Sequence, residues 1–108
     1  MQIAEIKSGA ITVAVLEGRL DTATAAGAEQ TLLALLAGGG VIADLSAVNY
    51  VSSAGLRVLL KAAKQAKSAR VSFAICGTQQ AVREVFEMSG FDKIIPAFDT
   101  RAAALAAS

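Results

Sequence analysis

An α/β fold is predicted for this 108-residue chain: one domain over residues 1–108, with a mixed sheet of four to five strands and helices packed mainly on one face. Its length suits one hydrophobic core, and its single Pro and scattered Gly provide no linker. Strand-like runs alternate with helical stretches of about 10–15 residues, the pattern of parallel β-α-β crossovers, which are right-handed almost without exception. At the N-terminus two strand-like runs adjoin, so an antiparallel pair begins an otherwise parallel sheet. The order is ββαβαβαβα.

The first two strands are expected at Gln2–Ile6 and Ala10–Leu16, joined by Lys7-Ser8-Gly9, with Gly supplying the awkward turn angle. Asp21-Thr22 then offers an N-cap to an Ala- and Leu-rich helix reaching about Leu36, with Ala25, Ala28, Leu32 and Leu35 or Leu36 on the core side. Gly38-Gly39-Gly40 stops it. Val41–Leu45 reads as a buried strand and Ser46–Val51 as a loop. Ser52 or Ser53 caps a second helix to about Lys67, in which Leu56, Leu59, Leu60 and Ala63 recur at amphipathic spacing. Arg70–Cys76 is the next strand. A third helix turns Val82, Val85 and Phe86 inward and ends at Gly90. A short strand at Ile94–Ala97 and a final Ala-rich helix capped by Asp99-Thr100 complete the chain.

Composition removes whole classes of function. The apolar share is 55% and mean hydropathy +0.56, but the longest apolar stretch, Leu32–Ala43, is broken by three glycines and ends at Asp44. A spanning helix needs ~20 apolar residues, so membrane insertion is not expected. No basic-then-apolar segment opens the chain, which points to a cytoplasmic domain. With no His and one Cys, there is no Ser-His-Asp triad, no His-ligated zinc, no Cys cluster and no disulfide. No cofactor or metal is called for. Net charge +1 with 5% aromatics gives no general attraction to nucleic acid. Cys76 reads as a small core residue. The glycine triplet lacks the Lys-Ser/Thr of a phosphate loop. Asp44 and Asp92 could each pair with a base, but no second carboxylate completes an acid–base couple.

Partner and ligand sites in open α/β sheets lie beyond the carboxyl ends of the parallel strands. Two segments arrive there, Glu17–Thr22 and Ser46–Gly55. The second places Ser52 and Ser53 at the first turn of a helix, where free N–H groups and the helix dipole favour negative charge. Such a pair can equally serve as a plain N-cap.

The run Asp44-Leu45-Ser46-Ala47-Val48-Asn49-Tyr50-Val51-Ser52-Ser53-Ala54-Gly55-Leu56-Arg57-Val58-Leu59-Leu60 resembles the signature of the STAS domain, in its small bacterial form as an anti-sigma-factor antagonist. Glu17-Gly18-Arg19-Leu20-Asp21 is similar to that family's Gly-x-Leu-Asp turn, and Val85–Ile95 resembles its closing helix-and-strand segment. The resemblance covers essentially the whole chain and implies a regulatory, non-enzymatic protein-binding module. In the family the unphosphorylated antagonist binds an anti-sigma factor that is also a serine kinase of the histidine-kinase-like ATPase type. Binding frees the sigma factor. Phosphorylation of the antagonist releases it, and a serine phosphatase resets it.

Carried over by motif, the phosphoacceptor is Ser53, with Ser52 the fallback. Partner contacts would fall on Asp21, Ser46, Asn49, Tyr50, Ser52, Ala54, Gly55, Arg57, Lys61 and Lys64. The chain departs from the pattern at Ser52, where the family often has Asp, and at Ala54, where it has a second hydroxyl. The alternative within the family is a constitutive adaptor or structural subunit, in a lipid-transport complex or signalling scaffold, with no phospho-switch. A small nucleotide-binding enzyme is disfavoured by the missing His and phosphate loop.

Charge adds to this. Between Leu45 and Arg83 there are six basic residues and no acidic one, and Arg57, Lys61 and Lys64 form a stripe on the helix that Ser53 begins. That stripe is either a solvated face or a dock for an acidic partner surface. The abundant Ala permits a monomer or a weak dimer.

Overall fold

In the structure, a computed structural model describing all 108 residues, strands β1 (Gln2–Ser8) and β2 (Ile11–Leu20) form a hairpin turned by Gly9 and Ala10. Gly9 has φ +63° and Ala10 does not share that sign, the arrangement of a type II′ turn with Gly at its first central position. There follow α1 (Ala25–Leu36), β3 (Gly40–Val51), α2 (Ser53–Ala69), β4 (Phe73–Cys76) and α3 (Gln80–Ser89). A 3₁₀ turn (Phe91–Lys93), β5 (Ala97–Phe98) and α4 (Arg101–Ala106) close the chain.

The single sheet has five strands in chain order, β1-β2-β3-β4-β5, with β1 antiparallel to β2 and every other pair parallel. The expected fold class and element order are therefore observed. Each parallel crossover steps the same way along the sheet, and right-handed crossovers that never reverse keep their helices on one face. Ala28, Leu32 and Leu36 of α1, Leu56 and Leu59 of α2, and Val82 and Phe86 of α3 pack there with Ala14, Leu16, Val41, Ala43 and Ile75. The chain after edge strand β5 is free to turn under the sheet. Ala104 of α4 covers Val13, Ile42 and Cys76 on the opposite face, a second small core.

Several boundaries differ from expectation for physical reasons. Ser46–Val51 is the second half of β3 rather than a loop, paired with Glu17–Leu20 through register shifts that break the two-residue alternation. The first helix starts at Ala25, not at Asp21-Thr22, because the Asp21 carboxylate closes the preceding turn by accepting from the N–H groups of Ala23 and Thr24 at 3.1 and 3.2 Å. Arg70 takes a left-handed conformation (φ 59°) as the C-cap of α2, so β4 begins only at Phe73. The last strand is Ala97–Phe98 instead of Ile94–Ala97; Ile94 is 54% exposed, while Ile95 is buried without joining the sheet. Gly90 caps α3 in a left-handed conformation, as expected.

One ion pair, on a buried carboxylate, fixes α4. Asp44 at the middle of β3 is 4% exposed; its Oδ2 accepts from Arg101 Nη2 and Nε at 2.8 and 3.0 Å, and its Oδ1 from the Ser46 hydroxyl and N–H at 2.7 and 3.0 Å. Desolvation alone would raise the Asp44 carboxyl, but the Ser46 hydrogen bonds and the Arg101 guanidinium outweigh it and hold the group below its ordinary value. A carboxylate depressed in the folded state stabilises fully above the unfolded value of about 3.9 and stops doing so as pH falls through the folded value. We expect stability to drop on the acid side of about pH 4. Asp44→Asn should flatten that acid slope, which urea midpoints measured across pH will show. Burial pushes the neighbouring Cys76 thiol up to about 11, with the Asp44 charge acting in the same direction, so Cys76 is an inert core residue.

Candidate functional site

Strand β3 pairs with β4 only as far as Asp44, but with β2 to its end at Val51. Beyond Asp44 the sheet narrows to a two-stranded ribbon of Glu17–Leu20 and Ala47–Val51. Val48 and Val51 turn inward and anchor this ribbon, while Ser46, Asn49 and Tyr50 are exposed. At the ribbon's tip the chain enters α2 directly.

The start of α2 is tied to the end of β2. The Ser52 N–H donates to the Leu20 carbonyl at 2.9 Å, so helix and ribbon meet at a fixed angle. Ser52 is the N-cap: its Oγ accepts from the Gly55 N–H at 3.2 Å, and its carbonyl accepts from the Leu56 N–H at 2.9 Å. Ser53 is the first residue of α2, is exposed, and its hydroxyl makes no hydrogen bond within the chain. The choice between the two serines as cap falls to Ser52. Gly55 is buried against β2, and Ala54 is half-buried beside it.

Asp21 lies just past the end of β2. Partial desolvation pushes its carboxyl up, but hydrogen bonds from Thr24, Ala23 and Arg19 hold it below the ordinary value, so it stays anionic. Arg19 Nε lies 3.5 Å from Asp21 Oδ2, and its guanidinium sits 4.2 Å from the centroid of the Tyr50 ring. Arg19 and Tyr50 are register partners across the ribbon. Tyr50, 43% exposed, thus shows one ring face to Arg19 and keeps an open side. Arg19 falls in the Glu17–Thr22 segment expected at this end of the sheet but is not singled out by the sequence as a contact residue; its pairing with Tyr50 depends on a strand register that nothing local in the sequence reveals.

Two of the candidate contact residues also serve the fold itself. The Ser46 hydroxyl is used internally, on Asp44, although the residue is exposed. The basic stripe of α2 is not uniformly free: Lys61 Nζ lies 3.1 Å from Glu29 Oε2 on α1, leaving Arg57 and Lys64 as its exposed, unpaired cations. Arg57 is one helical turn beyond Ser53, at i+4. The structure thus brings Asp21, Asn49, Tyr50, Ser52, Ser53, Ala54 and Gly55 to one end of the sheet, with Arg57 next to them. Lys61 and Lys64 trail away along α2.

Because strand order never reverses, the crevice that holds nucleotides in doubly wound sheets does not form here. No group of three or more His, Cys, Asp or Glu has metal-ligand geometry, and no helix is long and apolar enough to cross a membrane. The chain is a small α/β domain that presents one end of its sheet as a surface. It belongs to the STAS domain family, whose sequence profile matches residues 2–104. BtrV of Bordetella bronchiseptica, named as an anti-sigma factor antagonist, is 39% identical over 109 residues, spanning 99% of this chain and 94% of that protein. An anti-sigma factor antagonist from Mycobacterium paratuberculosis has the same fold, with a TM-score of 0.89 at 27% identity over 98% of this chain and 92% of its own. Bacillus SpoIIAA shares the fold in its unphosphorylated form (TM-score 0.80, 16% identity, 96% and 93% covered). Its phosphorylated form does so as well (0.73, 15% identity, 97% of each chain).

Proposed function

We propose that this chain is an anti-sigma factor antagonist that works by partner switching at Ser53. With Ser53 free, the ribbon tip and the start of α2 bind an anti-sigma factor that is also a serine kinase of the histidine-kinase-like ATPase type. Transfer of a phosphoryl group from ATP to Ser53 Oγ, with loss of the hydroxyl proton, ends that binding. A serine phosphatase restores the free hydroxyl, and the cycle is cytoplasmic.

The observation that carries this reading is the contrast between the two serines. Ser52 Oγ is committed to capping α2, whereas Ser53 Oγ is exposed and unengaged. For Ser52 Oγ to take a phosphoryl group it must first let go of the Gly55 N–H, a cap worth about 1 kcal/mol. A phosphate on Ser53 would lie at the positive end of the helix dipole, one turn from Arg57, so the fold accommodates it. The exposed Tyr50–Arg19 pair supplies the aromatic and guanidinium surface that anchors protein interfaces.

The test is intact mass of the chain purified from its own cells, followed by fragmentation of the modified peptide. We expect a fraction carrying one phosphate, mapped to Ser53. A phosphate on Ser52 moves the switch by one residue. Full absence of phosphate under all growth conditions favours the constitutive adaptor, the reading to which Ser52, in place of the family's Asp, lends support.

A further inference from the structure

We propose that β1 is a self-association edge, through which two copies of this chain pair antiparallel about a two-fold axis at Ile6. β1 is the outer strand of the sheet, and nothing covers its free side. The two-residue turn makes Ser8 and Ile11 a hydrogen-bonded pair, so residues 2, 4, 6 and 8 spend their backbone groups on β2. The N–H and C=O groups of Ile3, Glu5 and Lys7 therefore point outward. An edge of this length is a template for another strand unless its side chains prevent pairing.

Here the side chains select one pairing. A two-fold axis perpendicular to the sheet sets residues of equal parity opposite each other. Centred on Ile6, it places Glu5 of each copy opposite Lys7 of the other and Ile6 opposite Ile6, with Ala4 opposite Ser8. Glu5 and Lys7 lie at outward-bonding positions, so these two ion pairs coincide with the backbone hydrogen-bonded pairs. Ile6 falls at the non-hydrogen-bonded position, where side chains approach more closely. Moving the axis by one residue either way sets Glu5 against Glu5 or Lys7 against Lys7, which opposes pairing.

Three further facts fit. Glu5 and Lys7 are both exposed and neither belongs to an ion pair within the chain. Ile6 is 43% exposed on the sheet face that α4 covers only around Val13, Ile42 and Cys76. A lone Lys on an edge strand repels a second copy, but this one has Glu5 two residues away to receive it. Ile6 pairs with Val13, six residues before Arg19, or about 20 Å along β2, so the dimer leaves both Ser53 surfaces open. A strand-to-strand contact is much smaller than a standard interface, and the association should be weak, with Kd of about 0.1–1 mM.

The test is sedimentation equilibrium of the full chain up to about 1 mM, the weak end of that range. The wild type should show a reversible monomer–dimer equilibrium, weakened severalfold at high salt. Glu5→Lys alone and Lys7→Glu alone should each be monomeric, with unchanged circular dichroism. An equimolar mixture of the two should associate again, as should the double exchange Glu5→Lys/Lys7→Glu. A wild type that stays monomeric, or single variants that dimerise as well as the wild type does, would overturn the proposal.

Discussion

Phosphorylated at Ser53, the protein should bind its anti-sigma partner roughly a hundredfold more weakly than the free form. Ser53→Ala should bind within a few fold of wild type, and Ser53→Asp at least tenfold more weakly. A phosphate adds about −1.5 to −2 charges and three acceptor oxygens to an exposed site. Closing a partner over it strips its water, and a charge buried without a matching cation costs several kcal/mol. A penalty of about 3 kcal/mol, at ~1.4 kcal/mol per decade, gives the hundredfold. Asp brings one charge and a shorter reach, hence the smaller effect. Titration calorimetry against the anti-sigma factor recovered from the same cells measures all three. Equal affinities for the Ala and Asp variants would remove the switch, and unchanged melting curves would show that neither variant acts through folding.

Gly55→Ala should lower stability by about 2–3 kcal/mol, a melting-temperature drop of about 10–15 °C. In an exposed helix interior the same change stabilises by about 1 kcal/mol, because Ala is the better helix former. Here the sign reverses through sterics alone. A Cβ at Gly55 would stand 2.5 Å from the Leu20 carbonyl oxygen and 2.8 Å from Leu20 Cγ. That carbonyl already accepts from Ser52, so neither backbone can yield without parting α2 from the ribbon. Partner binding should fall with stability, because the displaced helix carries Ser53. Thermal and urea unfolding decide it: an Ala variant that melts higher than wild type would mean α2 does not rest on Leu20.

What could be read from the sequence follows from range. The three long helices announce themselves by apolar spacing; pattern alone turns Leu32, Leu59 and Phe86 inward, and all three are buried. The serine pair was legible because capping is a local event. The ribbon was not, since the shifts between Val15 and Glu17 and between Gly18 and Arg19 erase the alternation that marks a strand. The clasp from Arg101 to Asp44 joins residues 57 apart, and the Lys61–Glu29 pair joins two helices. Neither leaves a trace in local composition. For the same reason the direction of the Tyr50 ring, set by its register with Arg19, is not written in the residues around it.

A sheet whose strands lie side by side in the order in which they are translated can be built as it leaves the ribosome. Each new strand needs only the edge its predecessor has just formed, and no early strand must wait for a late one to be inserted beside it. The backbone bonds that tie the start of α2 to the ribbon all lie within β2, β3 and α2, so the frame that bears Ser53 is complete before β4 has emerged. Only later does α4 swing beneath the sheet, with Arg101 finding the carboxylate that β3 set in place long before.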